Sequence, residues 1–154
     1  MWILILWAIV IILTIILIKQ FLFNRRIAGL CNLFRAQNYA YQGEYPEIDE
    51  LNIGYIYGLA RSMSANIAQS KRIFYTLATI IYGRPRANQA TMALMSFSTQ
   101  EESRKEIFIT AANAALQDVA SMSALVSNYD PLSTTSKVKM PDGLSQLYAK
   151  HKKK

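Results

Sequence analysis

An all-α fold is predicted: a single N-terminal transmembrane helix that continues into a small bundle of three or four helices, followed by a disordered basic C-terminal tail. Three observations predict it. The chain opens on MWILILWAIVIILTIILIK, with eighteen residues before the first charged side chain, Lys19. Beyond it, apolar residues recur at alternating spacings of three and four, the period of a helix with one buried face. After Asp130-Pro131 that period stops and lysines accumulate. The expected limits are an anchor over 1–23, a helical bundle over 24–129 and a flexible basic tail over 130–154.

Eighteen helical residues reach roughly 27 Å, against a hydrocarbon core of about 30 Å. Phe21, Leu22 and Phe23 extend the apolar length if Lys19 snorkels to the headgroups. A cleaved signal peptide needs a basic n-region, an apolar run of about 7–15 residues and a small-residue cleavage site. This stretch has no basic n-region, runs longer, and passes into Lys-Gln-Phe-Leu-Phe-Asn-Arg-Arg. A soluble core helix is the other alternative, but such a helix normally turns one polar side to water. The flank after the span holds Lys19, Arg25, Arg26 and Arg35 and no acid, which by the positive-inside rule puts the body in the cytoplasm. The expected membrane-interface residues are Trp2, Trp7, Lys19, Arg25 and Arg26, with Trp2 in an aromatic belt at the far interface.

Nothing breaks the chain before Gln42-Gly43, so the first helix is expected to run on to about Tyr41 with Ile27, Leu30, Leu33 and Phe34 on its buried side. A solvated acidic loop follows over 43–54, carrying Glu44, Glu47, Asp49 and Glu50 around Pro46; it lacks the frame of a calcium loop. A second helix is expected over 55–82. Its stripe is Ile56, Leu59, Met63, Ile67, Ser70, Phe74, Leu77 and Ile81. Gly54, Gly58, Ser62, Asn66 and Ser70 form a row of small residues at every fourth position, read as a site of close helix packing.

Gly83 and Pro85 end the second helix, and a short third one is expected over 86–97 with Ala90, Ala93, Leu94 and Phe97 inward. Ser98-Thr-Gln-Glu101 has the spacing of a capping box, so a fourth helix starts there and runs to about Asn128. Its stripe is Phe108, Ala112, Ala115, Val119, Met122 and Val126. Residues 107–126 carry one charge, Asp118, but Asn113, Gln117 and Asp118 near the middle argue against a second span. Leu144 to Lys150 is expected to make one or two helical turns before the terminal lysines.

No residue pattern commits the chain to a reaction. Phosphate loops, dinucleotide fingerprints, nucleophile elbows and zinc-protease motifs are absent. His151, the single histidine, lies in the lysine tail and reads as solvated. Ser136-Lys-Val-Lys139 has the Ser-x-x-Lys spacing without its companion motifs. Cys31, the single cysteine, cannot form an internal disulfide and reads as a small buried or semi-buried thiol. Asp118 is expected to pair with Arg61, Lys71 or Arg72 across the bundle, or to lie exposed.

The formal net charge is +7. A basic body beside an anionic leaflet is the simpler reading of that charge than nucleic acid, whose recognition needs basic and aromatic residues on one face. The expected function is therefore non-catalytic, with no catalytic, cofactor-binding or metal residue and no cofactor: a membrane-anchored binding or scaffold subunit of a bacterial inner-membrane assembly of the secretion or conjugation type. A plasmid- or phage-encoded exclusion or immunity protein is the alternative. The partners implied are membrane lipid, other membrane or cytoplasmic proteins, and a second copy of the chain. Gly54, Gly58, Ser62, Phe108, Ala112, Ala115 and Val119 are the expected packing and interaction residues.

Overall fold

The computed structural model of the chain describes residues 2–42, 46–97, 101–127 and 141–151. Among them are six helices and no strand: α1 (Trp2–Gln42), α2 (Glu50–Ser62), α3 (Ile67–Tyr82), α4 (Arg84–Ser96), α5 (Glu102–Ser127) and α6 (Gly143–His151).

The first helix divides in two by environment. Every residue from 2 to 26 is exposed, whereas Ile27, Leu30, Cys31, Leu33, Phe34, Gln37 and Asn38 are buried. That buried set repeats at three and four residues, the face a helix presents to a packed neighbour. One unbroken helix thus serves two surroundings, apolar on all sides first and amphipathic afterwards. None of its most apolar window is covered by the rest of the chain, unlike the mostly buried core helix of a soluble protein.

The single helix expected over 55–82 is two helices. The apolar stripe fails at Ile67, which is 62% exposed. The Asn66 side chain accepts from the Gln69 backbone N–H at 2.8 Å, while Gln69 Oε1 accepts from the Ala65 N–H at 3.0 Å. This is a helix start, and its Asn-x-x-Gln spacing is visible in the sequence. The break lets α3 fold back against α2, so Ile56, Leu59, Phe74 and Leu77 share one core. Helix α2 also begins earlier than expected, because Asp49 accepts from the Asn52 N–H at 2.8 Å and caps it. The acidic loop is correspondingly shorter; Gly43 and Glu44 lie outside the described residues.

Between α3 and α4, Gly83 has φ 81° and ψ 160°, a region open to glycine almost alone. A Cβ there would meet no atom within 4 Å, so only the backbone resists substitution. Gly83→Ala is expected to lower stability by about 1–3 kcal/mol, seen as an earlier denaturation midpoint at unchanged slope. Pro85 sits in the first turn of α4, where its missing N–H costs nothing.

Helix α5 starts at Glu102, later than a capping box at Ser98 would place it: Glu101 lies outside the helix, with its carbonyl accepting from the Arg104 and Lys105 N–H groups, and Ser98 lies outside the described residues. Its buried line is Ala111, Ala115 and Asp118; Phe108, Ala112, Val119 and Met122 are half-buried beside it. The helix is therefore rotated from the expected stripe, and Asp118 lies within the buried face. Within the tail expected over 130–154, residues 143–151 match the helical turns expected over Leu144–Lys150. They form a docked helix with Leu144, Leu147 and Tyr148 buried. Residues 128–140 and 152–154 lie outside the described ones.

Candidate functional site

Three places on the molecule carry unusual chemistry. The first is the uncovered part of α1. Trp2 is 83% exposed and Trp7 63%, and Lys19, Arg25 and Arg26 are exposed too. From Trp2 to Phe23 the helix rises roughly 33 Å, enough to cross a hydrocarbon core. Among the described residues it is the one helix long and apolar enough to do so, with mean hydropathy 2.8. Arg35, counted with the juxtamembrane cations, instead reaches into the bundle, where its guanidinium donates to the Ile80 carbonyl at 2.8 Å.

The second is the junction of α1, α2, α5 and α6. Helices α2 and α5 make the most extensive pairing in the bundle, and glycines permit it. A Cβ on Gly54 would lie 2.5 Å from the Phe108 carbonyl oxygen; one on Gly58 would lie 2.7 Å from Ala115 Cβ and 2.8 Å from Ala112 Cα. Ser62 is off this seam: it is exposed, and its hydroxyl donates to the Leu59 carbonyl at 2.7 Å. Val119 packs on the edge of the core.

Asp118 stands where the seam meets α6. Its Oδ2 accepts from the Tyr55 hydroxyl at 2.6 Å, from Gln37 Nε2 at 3.0 Å and from the Gly143 N–H at 3.1 Å. Gln37 Oε1 accepts from the Leu144 N–H at 2.7 Å and lies 3.3 Å from that of Ser145. Gln37 and Asp118 together therefore satisfy the first turn of α6, and the carboxylate faces the positive end of that helix. The expected pairing with Arg61, Lys71 or Arg72 does not occur. Arg61 donates to Ser70 Oγ at 3.3 Å, Lys71 and Arg72 are exposed, and among the described residues Asp118 has no cationic partner. Beyond it, the Tyr148 hydroxyl donates to Asn38 Oδ1 at 2.7 Å and rests against Asn52 Oδ1.

The chain matches no protein-family model, no curated protein and no solved structure. Its chemistry is read from its own residues.

The third place is a cleft of about 460 Å³ between α2, α3, α4 and α5. Tyr57, Leu94, Phe97, Phe108 and Ile109 line it, with Met95 and the lysines Lys71 and Lys105. The Phe108 ring packs against Phe97 at 4.7 Å and against Tyr57 at 5.7 Å between centroids. The sequence marked Phe108 as part of a helix stripe. The cleft itself was not legible, because it needs four helices in place.

Burial also sets the acid–base behaviour of the core. It pushes the Cys31 thiol up from its ordinary 9.0 to about 11, against the opposing pull of Arg35. Burial raises the Tyr55 phenol, helped by its bond to the Asp118 carboxylate, and raises Tyr82 and Tyr148, both helped by the Asp49 charge. In each case the fold favours the neutral form, so the unfolded chain ionises first. The resulting stability is complete below about pH 9 and is lost as pH climbs. Once the unfolded phenols ionise near pH 10, three of them remove about 4 kcal/mol per further pH unit. Denaturation midpoints measured against pH should fall steeply there, with tyrosinate absorbance appearing together with unfolding. Three phenols titrating normally in the folded protein would contradict this. By the same logic, Cys31 should resist alkylation at neutral pH until denaturant is added.

Proposed function

We propose that the chain is a single-span membrane protein whose bundle is a binding module on the cytoplasmic side, a scaffold subunit of a bacterial inner-membrane assembly with no catalytic step of its own. One observation carries this reading: an apolar helix with no covered face continues without a break into the core of the bundle. An apolar surface of that size is unstable in water and calls for lipid. Burial resumes at Ile27, a few residues after Phe23, so α1 also fixes the angle between bundle and bilayer rather than acting as a loose tether. The helical course of residues 19–42 speaks against cleavage after the span, since processing needs an accessible extended site. Lys19, Arg25 and Arg26 favour the cytoplasmic side for the body.

Fractionation and protease accessibility test the placement. The intact chain should stay in the membrane pellet after alkaline carbonate washing. Its body should be digested in inverted vesicles and protected in intact spheroplasts. A body released in soluble form, or one digested from outside, overturns the reading. Purification in mild detergent tests the scaffold role, where a monodisperse monomer with no associated protein would count against it.

A further inference from the structure

The cleft between α2, α3, α4 and α5 has no part in placing the anchor, and its floor is the outer edge of the packed core, to which Phe97, Tyr57, Leu94 and Phe108 belong. Its floor is apolar and aromatic: Tyr57, Leu94, Phe97 and Phe108, with Ile109 at 55% exposure beside them. Among the described residues two ammonium groups line it and no acid does. Lys71 comes from α3 and Lys105 from α5; the nearest acid to the latter is Glu102, itself exposed, at 3.4 Å. Further exposed apolar residues lie on α4 and α5 outside the cleft. Met95 is 59% exposed, and Met92, one turn away on α4, is 71% exposed. Leu116, two turns along α5 from Ile109, is 40% exposed.

The shape and extent of this surface select the occupant. The cleft is open along its length, whereas a small ligand is held in a pocket that covers most of it. On α5 the exposed apolar side chains Ile109 and Leu116 stand two turns apart with half-buried Ala112 between them, a reach longer than a small ligand needs and suited to one face of a helix, which anchors at i, i+3, i+4 and i+7. Exposed methionines are the adaptable residues found on such grooves. The paired lysines call for carboxylates along the flank of that helix. A second copy of this chain is a poor candidate, because its net charge of +7 opposes that of the first.

We infer that this cleft is a docking groove for an acidic amphipathic helix of a partner protein. The inference rests on the reading of the bundle as a binding module and gives that module a chemical specificity. The apolar floor supplies the contact area, and Lys71 and Lys105 select against neutral or basic helices.

The test uses the full chain in nanodiscs of zwitterionic lipid. The probe is a fluorescent helical peptide with leucine at i, i+3, i+4 and i+7 and glutamate at the flanking positions. Its counterpart carries lysine in place of glutamate. The acidic peptide should bind saturably and the basic one should not. Added salt should weaken binding, and the double variant Lys71→Glu with Lys105→Glu should weaken it about tenfold. Lys71 is exposed, and Lys105 is half-buried in the first turns of α5 with only the exposed Glu102 as its ion-pair partner among the described residues, so the variant should keep its circular dichroism and its denaturation midpoint. Equal binding of the two peptides, or unchanged binding by the double variant, overturns the inference. A disulfide-linked dimer formed efficiently by Met95→Cys overturns it in favour of a second copy. Saturable uptake of dodecanoate with no peptide binding overturns it in favour of lipid. Carbonate-resistant membrane association should be the same in the double variant. Failure of the groove is thereby kept apart from failure of the anchor.

Discussion

Gly58→Ala is expected to destabilise the bundle by about 2–3 kcal/mol, although alanine is the better helix former by about 1 kcal/mol. The methyl group would lie 2.7 Å from Ala115 Cβ and 2.8 Å from Ala112 Cα, and the Ala112 carbonyl oxygen crowds it as well. Two of these three obstacles are backbone atoms, and no rotamer change removes them. Helices α2 and α5 must separate, and separation loosens the burial of Leu59 and Ala115, both fully covered in the native fold. Gly29 provides the control. It lies in α1 with nothing within 4 Å of where its Cβ would be, so Gly29→Ala should leave stability unchanged or raise it by up to about 1 kcal/mol. Denaturant titration of the two variants in the same detergent reads the difference. A stabilised Gly58→Ala variant would show that α2 and α5 do not approach this closely.

Asp118→Ala is expected to cost about 3–5 kcal/mol, a large share of the stability of a domain of this size. The substitution removes the acceptor of the buried Tyr55 hydroxyl and of the part-buried Gly143 N–H, and leaves Gln37 Nε2 with the Tyr55 oxygen alone. Helix α6 should suffer first. At nine residues it is too short to persist unaided, and its N-terminal N–H groups depend on Asp118 and Gln37. Hydrogen exchange should show residues 143–151 losing protection before the α2–α5 seam does. Asp118→Asn keeps the shape and one acceptor oxygen but loses the charge, and should fall between the two. Retained protection of α6 in Asp118→Ala would show that its apolar residues alone hold it.

The contrast between these two sites shows what could be read in advance. Gly54 and Gly58 stand four residues apart, a spacing that signals close packing whatever the partner. Asp118 carried no comparable signal. Its partners were sought among cations because a buried carboxylate is usually read as half of an ion pair. The fold instead neutralises it with a phenol, an amide and the start of a helix. Asn66 and Asp49 show the opposite failing. Each caps a helix start by accepting from the N–H three residues on, whereas the sequence reading placed Asn66 in a row of small residues within one long helix and Asp49 in an acidic loop.

What the sequence determined by itself is whatever depends on neighbours along the chain. The uncovered apolar helix, its passage into an amphipathic one near Ile27, and the helix end at Gly83 all follow from short-range spacing. Tertiary structure alone decided the rest. Gln37 meets Tyr55 across 18 residues, Asp118 meets Gln37 across 81, and Leu144 meets Gln37 across 107. Local periodicity carries no record of such contacts. They form only when α1, α2, α5 and α6 converge, and their convergence turns α5 so that a carboxylate faces the core and a nine-residue helix finds its cap.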